Sequence, residues 1–434
     1  MIYGGDGLAR LPADEKGRGK AVFVPFVLSG EKVEATLTDQ KPGFARAHAE
    51  SIVERSHHRV DAGCPYFGRC GGCHYQHASY EHQLEIKREI LHETLRRTAK
   101  LELSVDIQVH PSPPWNYRNR SRLRVQIAPE FRAGYFKTSS HELLAVEQCP
   151  ISSVLINRGI SALWQSGRSG GVPPGVDEIE FFANAEDTQL LMQVSAKPDS
   201  RRAALRAWAE DMRGSMPEIS GVVAFRETHK GSGSEKLLTV GSDHLIYQTA
   251  RAAYRVSAAS FFQTNRYLVE KLVEIVSDGQ SGESALDLYA GVGLFSTALG
   301  DIRHIVSVES SQTSTGDLSY NLPSNGEAVW ATTEQYLSGS TKTKRTRKGA
   351  VSPHSAVRPD LVVVDPPRSG LGERVARMLV TLGAPRVVYV SCDPVTLARD
   401  LTVLLAGGYR IEQVHLVDLF PQTYQLETVV HLAR

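Results

Sequence analysis

Through its first 55 residues the chain carries short apolar-polar runs punctuated by glycine. Ala21-Val-Phe-Val24 and Val33-Glu-Ala-Thr-Leu37 read as strands turned by Ser29-Gly30, and Ala45 to Val53 reads as another. Short strands at this density predict a small OB-like β-barrel over residues 1–55. Residues 56 to 79 are rich in Cys, His, Gly and Tyr and have no periodicity, so something other than an apolar core must hold them. From Tyr80 to about Thr98, Tyr80, Leu84, Leu91 and Leu95 share one stripe, the mark of a helix. Strand patterns (Arg122 to Ile127, Ile179 to Phe182, Gln189 to Val194) and a helix pattern around Arg201 to Met212 predict a central α+β domain over 56–255. Beyond 256 the strands become continuously apolar and alternate with helical stretches: Ala285 to Tyr289, His304 to Glu309, Leu361 to Asp365 and Val387 to Ser391. Such runs suit a parallel sheet covered on both faces, a Rossmann-like α/β domain over 256–434. Arg410 to Val417 and Leu426 to Leu432 are expected to form its antiparallel edge. Ser338 to Pro359 reads as a polar, flexible insertion.

Composition narrows the class. A length of 434 residues accords with three domains, and 5 Cys are too few to staple a chain of this size. No apolar run approaches the ~18 residues of a membrane span, and the N-terminus lacks a secretory pattern, so a cytoplasmic monomer is expected. The chain starts at its Tyr-Gly motif, so the barrel is expected to lack its usual first strand. Lys+Arg 49 against Asp+Glu 48 is nearly neutral overall. Locally, Arg118, Arg120, Arg122, Arg124, Arg132 and Lys137 face one acid, Glu130, and residues 342–348 form a second basic run. Trp115, Tyr117, Arg118 and Arg120 are candidates for holding an RNA strand.

Five motifs carry candidate chemistry. Cys64, Cys70 and Cys73, with the distant Cys149, supply four thiolates for a [4Fe–4S] cluster or a zinc ion. The single distant fourth ligand leans away from a zinc ribbon, and the neighbouring His74 and His77 read as solvated. Asp287-Leu-Tyr289-Ala-Gly291-Val-Gly293 joins a strand to a helical stretch, where small residues admit a ligand to the backbone. Glu309 ends the next strand and suits a ribose diol. Position 296 is Ser where a third glycine would bind a dinucleotide, which tilts the ligand from NAD towards S-adenosylmethionine. Asp365-Pro-Pro-Arg368 and Ser391-Cys392-Asp-Pro394 end later strands, and Glu427 begins the last. A cysteine before a helix start can have its thiolate favoured by the helix dipole. One activated Cys, one base and one methyl donor are what methylation of uracil carbon 5 requires. A thiolate adds to carbon 6, carbon 5 takes the methyl, and a base removes the carbon 5 proton.

The chain resembles the RNA uracil-5-methyltransferases, most closely the 23S ribosomal RNA branch with an N-terminal TRAM barrel and an iron–sulfur domain. The resemblance rests on Tyr3-Gly-Gly-Asp-Gly-Leu-Ala-Arg10, the four cysteines, Ser260-Phe-Phe-Gln263-Thr-Asn, the glycine turn, Asp365-Pro-Pro-Arg, Ser391-Cys-Asp-Pro and Glu427-Thr-Val. It implies Cys392 as nucleophile and Glu427 as the proton-removing base. It further implies a [4Fe–4S] cluster on Cys64, Cys70, Cys73 and Cys149, and S-adenosylmethionine contacts from Gln263, Tyr289, Glu309 and Asp365 beside Gly291 and Gly293. Transfer-RNA members generally lack barrel and cluster, which favours ribosomal RNA as partner. Leu294 and Asp393 depart from the usual Asn at each place. Alternatives are a transfer-RNA enzyme, a cytosine or exocyclic-amine methyltransferase, and a non-catalytic RNA-binding factor on a relic fold.

Overall fold

The computed structural model describes residues 1–11, 19–227, 234–339 and 358–434, so the basic run 342–348 lies outside the described residues. Strands β1 (Asp6–Arg10), β2 (Ala21–Pro25), β3 (Lys32–Gln40) and β4 (Phe44–Glu54) form a sheet ordered β1-β2-β4-β3. Its core is small, built on Val22, Val24, Val27, Ala45 and Ala47. Strand β1 went unread in the sequence because three of residues 4–7 are glycine. Helix α1 (Tyr80–Thr98) starts at Ser79, whose hydroxyl accepts from the His82 N–H. It turns Ile86, Ile90, Leu91 and Leu95 into a core shared with the C-terminal strands.

After β5 (Ile107–His110) come β6 (Arg120–Gln126), β7 (Arg132–Phe136), β8 (Leu143–Ala145), α2 (Val154–Arg168), β9 (Val176–Ala183), β10 (Leu190–Ala196), α3 (Arg202–Ser215), β11 (Ile219–Glu227) and β12 (Ser234–Gly241). Strands β6 to β12 make a seven-stranded sheet on which α2 and α3 pack through Ile156, Ile160, Leu205 and Trp208. A hairpin, β13 (His244–Gln248) and β14 (Ala253–Ser257), leads into α4 (Val269–Ser277). Its Tyr247 and Tyr254 share a core with the C-terminal Ala285 and Val363.

The remaining elements are β15 (Gly282–Leu288), β16 (Ile302–Glu309), α5 (Gln312–Asn321), β17 (Gly326–Trp330), α6 (Thr333–Leu337), β18 (Leu361–Val364), α7 (Gly372–Leu382), β19 (Arg386–Ser391), α8 (Pro394–Ala406), β20 (Arg410–Val417) and β21 (Glu427–Ala433). They build an eight-stranded sheet ordered β17-β16-β15-β18-β19-β21-β20-β5. All four residues of β18, Leu361 to Val364, are buried, as an all-apolar central strand requires. The expected edge is revised in detail. Strand β21 lies inside the sheet, antiparallel to both β19 and β20, and the edge is β5, parallel to β20 and drawn from far upstream.

Candidate active site

The carboxyl ends of β15, β16, β18 and β19 meet at the point where ligands bind in open α/β sheets. Strand β15 stops at Leu288 because Tyr289 turns to φ +63, and Gly291 and Gly293 follow at φ +57 and +91. A side chain is strained in this left-handed region, and a Cβ on Gly293 would also meet Leu318 Cδ1 at 2.9 Å. The Gly291 N–H donates to Glu309 Oε2 at 3.0 Å and the Ser311 N–H to Oε1 at 2.5 Å, so the Glu309 carboxylate ties the glycine turn to the end of β16. Gln263 Nε2 donates to Asp365 Oδ2 at 3.4 Å, and the Gln263 carbonyl accepts from Asn119 Nδ2 at 3.0 Å. The turn, Glu309, Gln263 and Asp365 thus surround one end of the sheet.

Three acids concentrate there. Asp287 is sealed inside, accepts from the Ser296 hydroxyl and leaves Oδ1 without a partner. Burial, opposed by Ser296, pushes its carboxyl up to about 7. Burial and then the charge of Asp287 push Asp365 up to about 7. Glu427, buried at the start of β21, is pushed well up by burial and then by Asp365. Buried like-charged carboxylates hold protons at neutral pH unless a cation joins them.

Cys392 and Glu427 are brought together by register. Val390 pairs with Val429 and Ser391 with Thr428, the last pair of the ladder, so Cys392 and Glu427 follow at the same sheet end, and the Glu427 charge acts on the Cys392 thiol. The expectation that the helix dipole favours the Cys392 thiolate is corrected. Asp393 caps α8 instead, accepting from the Val395 and Thr396 N–H groups at 3.0 and 2.9 Å. Burial, then the charges of Glu427 and Asp365, push the Cys392 thiol up to about 12, against the opposing pull of Arg368.

Cys64, Cys70, Cys73 and Cys149 line one cavity of about 90 Å³. The loop 64–73 docks on β7, where the Gly71 N–H donates to the Phe136 carbonyl at 3.0 Å. Cys149 is presented from a turn pinned by Asn157, which accepts from the Cys149 N–H at 2.8 Å. Among the described residues, no three of these sulfurs lie within 4.8 Å of one another. A tetrahedral zinc with Zn–S near 2.3 Å would draw its sulfurs to about 3.8 Å. Arg118 is in the cavity wall with its buried Nε unpartnered, a cation facing four potential thiolates.

Other sequence readings change. His77 is buried against Phe67 and Phe26, and burial pushes it down to about 4, as it does His74. Tyr117 is buried and its hydroxyl donates to the Pro421 carbonyl at 2.9 Å, while Arg120 donates to the Ser260 carbonyl at 2.7 Å and covers Phe182. Neither is free to stack on RNA. Arg122 pairs with Glu180 and Glu178, Arg124 with Asp177, Arg132 with Glu130 and Lys137 with Glu142. The basic run is therefore largely neutralised, mostly by acids of β9 that alternate across from it.

Sequence reasoning missed what holds Glu427. Lys87 of α1, fully buried, donates to Asp418 Oδ1 at 2.6 Å and to the Phe420 carbonyl at 2.9 Å, and the Tyr80 hydroxyl donates to Asp418 Oδ2 at 2.9 Å. Gln83 Nε2 donates to Gln422 Oε1 at 3.0 Å, and the His74 and Tyr75 N–H groups donate to the Gln422 carbonyl at 2.8 and 3.0 Å. Helix α1 and the cysteine loop together grip residues 418–422, which lead into Glu427. A buried Lys spaced like any helical surface residue gives no sequence signal for this.

Comparison with known proteins supplies the family. Residues 79–434 match the family model described as tRNA (Uracil-5-)-methyltransferase, and residues 3–49 match the TRAM domain. An uncharacterized RNA methyltransferase of Aquifex aeolicus is 31% identical over 100% of this chain and 96% of its own length. One of Streptomyces coelicolor is 31% identical over 100% of this chain and 91% of its own length. The crystal structure of Pyrococcus abyssi tRNA (uracil-54, C5)-methyltransferase with S-adenosyl-L-homocysteine shares the fold, with TM-score 0.73 and 23% identity over 99% of both chains. A TRAM domain joined to a glycine-turn α/β sheet, matched along its whole length by such relatives, makes this chain a member of the S-adenosylmethionine-dependent RNA uracil-5-methyltransferase family.

Proposed function

We propose that this protein moves the methyl group of S-adenosylmethionine to carbon 5 of a uridine in 23S ribosomal RNA through a covalent bond between Cys392 and carbon 6. The reading is supported by the β19–β21 register, whose last pair, Ser391 with Thr428, is one residue from Cys392 and from Glu427 at the sheet end that carries the glycine turn. The Cys392 sulfur adds to carbon 6 and the electron pair moves to the enolate. Carbon 5 takes the methyl from the sulfonium, leaving neutral S-adenosylhomocysteine. Glu427, its own proton and that of the Cys392 thiol having gone to solvent once the sulfonium's charge offsets the acids, takes the carbon 5 proton, and its raised pKa makes the ionised form an effective base. The carbon–sulfur bond then breaks and the double bond returns. At rest, the acids facing Cys392 keep it a thiol. A sulfonium beside Asp287 and Asp365 offsets that negative charge and eases loss of the thiol proton. Gln263, Tyr289, Gly291, Gly293, Glu309 and Asp365 would hold the donor.

Cys64, Cys70, Cys73 and Cys149 would hold a [4Fe–4S] cluster, a reading supported by four thiols and the Arg118 cation lining one cavity. Such a group would anchor the loop that grips Gln422. Methyl transfer moves no net electrons, so a redox role is not required. Anaerobically isolated protein is expected to be brown, with broad absorbance near about 400 nm; colourless protein carrying zinc refutes the cluster.

A transfer-RNA substrate is the second reading. The Pyrococcus abyssi enzyme acts on transfer RNA and matches 99% of this chain in fold, which weakens the link between whole-chain architecture and ribosomal RNA. Mass spectrometry of 5-methyluridine in 23S and transfer RNA, from strains with and without the gene, separates the two. Glu427→Gln is expected to accumulate a denaturant-resistant RNA–protein adduct and Cys392→Ala to form none while still binding S-adenosylhomocysteine. Turnover near wild type in Cys392→Ala sinks the covalent scheme.

A further inference from the structure

A second cluster of metal-ligating side chains lies outside the cysteine cavity. Glu85 and His82 stand one turn apart on the first turns of α1, with His82 Nδ1 at 2.8 Å from Glu85 Oε2. His58 arrives from the segment after β4, and the ligand atoms of His58, His82 and Glu85 all lie within 4.8 Å of one another. The backbone fixes this meeting. The Ser79 N–H donates to the His58 carbonyl at 2.8 Å, and the Ser79 hydroxyl caps α1 at the His82 N–H. The His58 and His82 rings stack at 3.9 Å, and His57 tilts against His58 at 3.7 Å. His82 Nε2 is sealed from solvent without a hydrogen-bond partner. Three packed imidazoles beside a carboxylate, with one ring nitrogen orphaned, can be served together by a shared cation.

We propose that His58, His82 and Glu85 form a binding site for a zinc-class divalent cation, with a water completing the coordination. Two imidazoles and one carboxylate are a donor set for borderline metals, and metal–ligand bonds of about 2.0 Å set the ligand atoms about 3.3 Å apart, inside the 4.8 Å within which they already lie. One His ring must leave the stack and turn edge-on, and His58 is the freer, since no side-chain hydrogen bond holds its ring. The bound ion would join the segment leaving the N-terminal sheet to the helix that carries Lys87. It would thus brace the junction of the TRAM domain and the catalytic domain.

The test uses the full chain, isolated anaerobically, with Co²⁺ as probe. The site is expected to bind one Co²⁺ with weak visible d–d bands and no thiolate charge-transfer band, and Zn²⁺ to displace it and raise the melting temperature. His82→Gln and Glu85→Gln are each expected to weaken binding at least ~10-fold, and His92→Gln, exposed further along α1, to leave it unchanged. Glu85 is exposed, so Glu85→Gln keeps the native fold and the test decisive. The proposal is overturned if Co²⁺ binds only with a thiolate signature, if none binds, or if neither variant shifts the affinity, which would leave the histidines as a stacked pair salt-linked to Glu85.

Discussion

Replacing Lys87 by Met tests how the fold delivers Glu427. The Lys87 ammonium and the Asp418 carboxylate are both wholly buried, 2.6 Å apart, and the ammonium also serves the Phe420 carbonyl. Methionine fills about the same volume but leaves Asp418 with only the Tyr80 hydroxyl as side-chain donor, while the Phe420 carbonyl keeps the Thr423 hydroxyl and N–H. Losing a charge-assisted bond costs about 1.5–3 kcal/mol, and leaving the Asp418 charge buried without its cation brings the total to the ~3–5 kcal/mol typical of a broken buried pair. With an m-value of about 3 kcal/mol per molar, the urea midpoint falls by about 1–1.7 M. Residues 418–422 lead to Glu427, so kcat is expected to fall while S-adenosylhomocysteine affinity holds. Adding Asp418→Leu removes the stranded charge and is expected to recover most of the stability. A single variant within about 1 kcal/mol of wild type, or a double variant no better than the single, refutes the reasoning.

Two further outcomes follow from the acids and the turn. Asp287 and Asp365 are pushed up to about 7 and ionise as pH rises through that value, so affinity for cationic S-adenosylmethionine, relative to neutral S-adenosylhomocysteine, is expected to rise between pH 6 and 8. Isothermal titration of both ligands measures this, and Asp365→Asn is expected to flatten the trend; a ratio independent of pH counts against the acid cluster as the sulfonium's counter-charge. Gly293→Ala meets both a left-handed φ and Leu318, and is expected to cost about 1–2 kcal/mol and to weaken binding of either ligand; unchanged affinity in equilibrium dialysis argues that the turn does not approach the donor.

Local pattern was enough for six of the eight strands of the catalytic sheet, all but β5 and β17. Leu361 to Val364 is apolar at every position because both faces are covered, and this is visible without coordinates. The glycine turn was legible because residues 291 and 293 occupy backbone conformations that side chains resist, a requirement written one residue at a time. The four cysteines stood out by their spacing, and it is the fold that brings the distant Cys149 to the same cavity as the other three. Chain position gave no sign that β21 would enter the sheet between β19 and β20, and that placement is what brings residue 427 to the sheet end of residue 392. Nor did the basic run between 118 and 137 announce its own neutralisation, since Asp177, Glu178 and Glu180 meet it only across strands. The pKa shifts of Asp287, Asp365 and Cys392 belong wholly to tertiary structure. They arise from burial and from charges up to 78 residues away in sequence, Asp287 acting on Asp365. Residue types and local backbone demands are sequence properties; which groups share a dry, low-dielectric space is decided only when the chain closes on itself.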